Sequence, residues 1–87
     1  MKVKSEYILR ELAGQNIVVP VGSEAVNFNG IMTLNGSGKR LFKKLQEETT
    51  KEELIALILD HYEVCIEQAK ADVEAFIKKL ESNNILE

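Results

Sequence analysis

The sequence predicts a small α+β domain in which three antiparallel strands precede three helices, filling residues 1–87 as one unit. Three observations carry this. A chain of 87 residues has room for one compact domain and not for two. Apolar residues make up 45% and charged residues 29%, the balance of a chain that can bury a core rather than stay disordered. The hydrophobic pattern also changes period, from about two in the first third to about 3.6 beyond Asn35. At this size folding buries roughly 60–70% of the unfolded chain's surface, which supports one thin core and excludes a large internal active-site cavity.

Tyr7 to Leu12 suits a pleated surface and predicts the first strand, with Ala13-Gly14-Gln15 as the turn after it. Asn16 to Val21 is a β-branched run closed by Gly22-Ser23, and Pro20, which has no N–H for a ladder, marks its end or an edge. Val26, Phe28, Met32 and Leu34 then alternate with Asn27, Asn29 and Thr33. Asn29-Gly30 interrupts the alternation. It fits a two-residue hairpin turn, or the close of a longer loop that leaves Ile31–Leu34 as the third strand; the second reading is preferred.

Asn35-Gly36-Ser37 supplies turn and cap chemistry, after which Leu41, Phe42 and Leu45 fall on one helix face. Thr50-Lys51-Glu52-Glu53 has the pattern of a capping box and opens a second helix with Leu54, Leu57, Ile58 and Tyr62 as its buried stripe. In the third helix Ile66, Ala69, Val73, Phe76, Ile77 and Leu80 trace a stripe of 3.6-residue period. Ser82-Asn83-Asn84 ends it, leaving Ile85-Leu86 to fold back onto the core. Three strands need a helical layer on their apolar face, which gives a small α+β domain of winged-helix type.

Charge and motifs exclude more than they assign. The net charge is −3, and its layout is +2 over residues 36–50, −3 over 51–64 and −2 over 65–87. No stretch has the density of positive charge that a phosphate backbone requires, so nucleic acid is not an expected partner. The longest apolar run, Leu54 to Leu59, is far short of the ~20 residues that span a bilayer. The opening residues Met1 to Glu6 lack the apolar segment of a secretory signal, and a lone Cys65 offers neither a disulfide nor a CxxC metal pair. A reducing cytoplasm is the expected compartment. Gly36-Ser37-Gly38-Lys39-Arg40 fails the phosphate-loop pattern at two positions, Thr33 and Arg40. The sequon Asn35-Gly36-Ser37 reads as a helix cap. His61, without a second histidine, belongs in the last turn of the second helix, and Cys65 reads as a half-buried residue at the start of the third. Glu47, Glu48, Glu52, Glu53 and Asp72 fall on polar helix faces. No catalytic constellation, metal site or cofactor is expected.

What remains is surface for a partner. A three-stranded sheet has two edges with unpaired backbone groups, and an extended peptide can add itself there as another strand. The most apolar candidates for such a surface are the Val26–Leu34 strand and the Ile66–Leu80 helix; the alternative is that both are merely core.

The order of residues resembles the PqqD family. The resemblance rests on Leu9-Arg10-Glu11-Leu12-Ala13-Gly14, Val19-Pro20-Val21-Gly22 and Phe28-Asn29-Gly30-Ile31-Met32-Thr33-Leu34-Asn35. Thr50 to Leu54, Tyr62-Glu63-Val64, Asp72 to Phe76, Leu80 and Asn84-Ile85-Leu86 extend it to the end of the chain. Departures fall at Gly36-Ser37-Gly38, Cys65 and Asn83-Asn84. The resemblance implies a winged helix-turn-helix domain that does not bind DNA. With no catalytic constellation and no membrane-length apolar run, the chain is expected to be neither an enzyme nor a membrane binder. The resemblance further implies a peptide chaperone that captures the leader of a ribosomally made precursor peptide and presents it to a modifying enzyme, of radical S-adenosylmethionine type. It also implies that the leader lies against the third strand and beside the third helix. By matched position the leader-binding residues are Asn27, Phe28, Asn29, Ile31, Met32 and Thr33, with Ala69, Asp72, Val73 and Phe76 facing them.

Two other functions compete. A DNA-binding winged helix would present Lys70, Lys78 and Lys79 from the third helix, but among Glu67, Asp72, Glu74 and Glu81. A subunit-docking adaptor would use the second helix, whose Leu54, Ile55, Leu57, Ile58 and Leu59 exceed one narrow stripe.

Overall fold

The computed structural model describes residues 1–22 and 32–87. Strands β1 (Tyr7–Leu12), β2 (Gln15–Pro20) and β3 (Met32–Leu34) are followed by helices α1 (Gly36–Lys44), α2 (Lys51–His61) and α3 (Ile66–Ser82). The sheet is antiparallel in the order β1-β2-β3, as expected. Asn27, Phe28, Asn29 and Ile31, and with them the two readings of Asn29-Gly30, lie outside the described residues.

Leu12 pairs with Gln15, so the first turn has two residues and Gln15 is already strand rather than turn. Ala13 and Gly14 have φ of 52° and 78°. Positive φ at both central positions is what the right-handed twist of a tight hairpin demands. Tyr7, Val18, Met32 and Leu34 are buried on the helical side of the sheet. Leu9 packs against them, while Thr33 between two core residues is exposed.

Asn35 caps α1: its Oδ1 accepts from the Gly38 N–H at 2.8 Å and from the Ser37 hydroxyl at 3.0 Å. Leu41, Phe42 and Leu45 then point into the core. Past α1, Thr49 is buried, with its hydroxyl shared between the Lys44 and Glu47 carbonyls and its N–H given to the Met1 carbonyl. Thr50 caps α2 through the Glu53 N–H at 3.2 Å, but the Glu53 carboxylate accepts from the Thr50 hydroxyl instead of from the backbone amide of a full capping box. The buried face of α2 is Leu54, Ile55 and Ile58, with Leu57 and Tyr62 only partly buried at its rim. An α-helix apolar on more than one side does not fix its own rotation. His61 closes α2 as expected, its Nδ1 3.0 Å from the Leu57 carbonyl.

Helix α3 buries Ala69, Val73, Phe76 and Leu80. Two expectations fail at its start. Cys65 is exposed and makes no side-chain cap, and Ile66 is exposed although it falls on the same stripe. Both lie a turn before Ala69, where the helix has not yet reached the core. The other end closes as a Schellman motif: the Ile85 N–H bonds the Leu80 carbonyl, the Asn84 N–H bonds Glu81, and Asn84 holds φ 57°. Asparagine does here what glycine usually does. Ile85 is fully buried, and Leu86 pairs with Val3, so the two ends of the chain are sewn together. Among the described residues no helix is long and apolar enough to cross a membrane.

Candidate functional site

Strand β3 has β2 on one side and no strand on the other among the described residues. Its register is Asn16↔Leu34, Ile17↔Thr33 and Val18↔Met32. In an antiparallel ladder, residue pairs alternate between exchanging two hydrogen bonds and exchanging none. The Thr33 carbonyl accepts from Lys79 Nζ of α3 at 3.3 Å, so it points away from β2. Asn16↔Leu34 and Val18↔Met32 are then the bonded pairs, and both backbone groups of Thr33 face the open edge. A single residue of β3 therefore offers one donor and one acceptor side by side.

Beside that edge lies a cleft of about 430 Å3 between β3, the start of α1 and α3. Thr33, Leu34 and Asn35 form one wall, Ser37, Gly38 and Leu41 the floor, and Asp72, Ala75, Phe76 and Lys79 the other wall. The four α3 residues follow the i, i+3, i+4, i+7 spacing of one helix face. Gly38 matters to this shape. A Cβ there would stand 3.2 Å from Asn35 Oδ1, 3.3 Å from the Leu34 Cβ and 3.4 Å from Phe76 Cε1. Its absence lets the phenyl ring lie directly against α1.

Of the residues expected to bind a partner, Thr33, Asp72 and Phe76 line the cleft. Met32, Ala69 and Val73 are buried, the last two completely, and they hold the strand and helix in place from behind. Leu34, Gly38, Ala75 and Lys79 line the cleft but are not among the residues expected to bind a leader. The signal available for Ala75 and Lys79 was their spacing from Asp72 and Phe76, a face turned by one residue from the apolar stripe.

The cleft has a polar end of each sign. Asp72 accepts from Gln68 Nε2 at 2.8 Å, a neutral partner, and Lys79 is at the other end. Glu74 points elsewhere, to Lys51 of α2 at 2.9 Å, and that hydrogen bond and charge hold its carboxyl below the usual range. Among the described residues no three histidine, cysteine or acidic side chains converge as metal ligands would.

Comparison with solved structures gives the same architecture twice. TbiB1 in complex with the TbiA(beta) leader peptide superposes with a TM-score of 0.78 over 100% of this chain and 95% of that one, at 20% identity. A lasso peptide synthetase B1 complexed with the leader peptide gives 0.74 over 97% and 93%, at 15% identity. No curated protein matches the sequence. The family model of coenzyme PQQ synthesis protein D (PqqD) matches residues 15–86, from the first residue of β2 to the paired C-terminal end. The chain belongs to the PqqD family.

Proposed function

We propose that this chain captures the leader of a ribosomally made precursor peptide as an added strand on β3 and presents it to a modifying enzyme. The observation that carries the proposal is the outward-facing backbone of Thr33 above a cleft walled by α3. Main-chain bonds to such an edge give affinity, and pockets for alternate side chains give selectivity. Family membership supports the same reading, as do two similar folds solved with leader peptides. The domain acts by binding and without catalysis, and its enzyme partner is of the radical S-adenosylmethionine type that the family resemblance implies. Thr33, Asp72 and Phe76 contact the leader directly, Met32, Ala69 and Val73 set the walls, and Asn27, Phe28, Asn29 and Ile31 are further leader contacts by their matched position in the family.

A strand of about six to eight residues buries less than ~1,200 Å2, the class of transient interfaces, and a micromolar or somewhat tighter Kd suits handing the peptide on. Titrating 15N-labelled protein with the leader of the neighbouring precursor gene should move the amides of Thr33, Leu34 and Asp72 through Lys79 together. Shifts confined to α2, or none at saturating peptide, overturn the proposal.

A further inference from the structure

Resting on that reading, we infer that Lys79 holds the place of the missing strand in the empty protein and, once displaced, selects a leader that brings an acidic side chain to it. The lysine is 46 residues from Thr33 in sequence, yet its ammonium donates to the one carbonyl of β3 that points outward. Lysines commonly blunt open sheet edges, which otherwise recruit other chains. Among the described residues no carboxylate stands within 4.0 Å of Lys79. Among those residues its charge is met only by a carbonyl dipole.

A peptide residue paired with Thr33 gives its own N–H to that carbonyl and takes the Thr33 N–H in return. The ammonium then moves out along its flexible stem, still at the rim of the cleft, and needs a new partner. A carboxylate on the incoming strand supplies one. The opposite end of the cleft repels such a group, because Asp72 lies there. Asp72 and Lys79 are seven residues apart, about 10 Å along a helix, and three residues of extended peptide cover about the same distance.

The fold also orders the peptide. Lys79 reaches Thr33, whereas Phe76 meets Gly38 beyond the end of β3, so α3 runs against β3. A strand added antiparallel to β3 runs with α3. It passes Phe76 before Lys79, which places the acidic residue on the C-terminal side of the apolar residue that enters the cleft.

The probe is a fluorescein-labelled synthetic leader of the neighbouring precursor, with each Asp or Glu changed in turn to its amide. One such change should weaken binding to the unchanged protein about three- to tenfold, the range of a partly screened ion pair. Lys79→Gln should weaken the native leader by the same factor and be indifferent to that one amide. It should also bind the amide leader at least as tightly as the unchanged protein does, since the carbonyl is no longer covered. Lys79→Glu should recover affinity for a leader with lysine at the same position. A Lys79→Gln protein that is folded by circular dichroism and binds the native leader normally overturns the role of Lys79 while leaving strand capture intact. So does a bound leader with no acidic residue. Failure of the unchanged protein to bind the leader overturns strand capture itself, and this inference with it.

Discussion

Thr33→Pro separates the stability of the sheet from its capacity to accept a strand. Because the Thr33 N–H faces the open edge, proline there removes no bond of the β2–β3 ladder. The residue before it, Met32, is already in a strand, the conformation that a following proline favours. The free protein should lose no more than about 1 kcal/mol, a shift of roughly 4–8 °C in Tm for a domain of this size. Leu34→Pro, by contrast, takes away the amide bonded across to Asn16 and should cost about 1–3 kcal/mol more. Leader binding should respond in the opposite order of severity. Without the Thr33 donor, one carbonyl of the peptide is buried at the edge without a partner, at about 1–3 kcal/mol. That is roughly a five- to 150-fold rise in Kd. Thermal melts followed by circular dichroism and fluorescence anisotropy with labelled leader measure the two effects, with Thr33→Ala as the control that keeps the N–H. The reasoning fails if folded Thr33→Pro binds like the unchanged protein, or if it melts as early as Leu34→Pro.

Three further outcomes follow from other parts of the molecule. Gly38→Val forces two more carbons into a place where even a Cβ stands 3.2–3.4 Å from its neighbours, so overpacking should cost about 1–3 kcal/mol. Anisotropy with the labelled leader should show weaker binding as well, because Phe76 must shift. Ile85→Ala empties a fully buried site at the Schellman turn and should lower the urea-unfolding free energy by about 2–4 kcal/mol, with little change in Kd of the folded protein. Lys51 lowers the Glu74 carboxyl below its ordinary 4.5, so the pair stabilises the fold above that pH and the contribution is lost as pH falls through the lowered value. Glu74→Gln should flatten the acid side of the Tm–pH profile below pH 4.5, and an unchanged profile would show that the exposed pair contributes nothing.

The fold was legible where the sequence imposes a period. Tyr7 to Leu12, the 3.6-residue stripe through Ala69, Val73, Phe76 and Leu80, and the caps at Asn35 and Thr50 depend on neighbours close in sequence. Ile66 falls on the stripe yet is exposed, and Ile55 lies off the expected stripe yet is buried. Burial depends on where a helix meets the rest of the chain, which periodicity alone does not reveal. The cleft was harder to read for a related reason. Core and cleft share the same side of α3, one residue of rotation apart, so an apolar stripe points to Ala69 and Val73 while the cleft is lined by Ala75 and Lys79. The contact of Lys79 with Thr33 joins residues 46 positions apart, and nothing local announces it.

Pairing of Val3 with Leu86 has a consequence for how the domain can be carried. Both ends leave the fold at a single point, so a linker attached at either one suspends the domain from the same pivot. Joined ahead of a catalytic chain, behind one, or set into one of its surface loops, the domain would sweep the same volume around its tether. Only the length of the tether would then decide how far a captured peptide can reach.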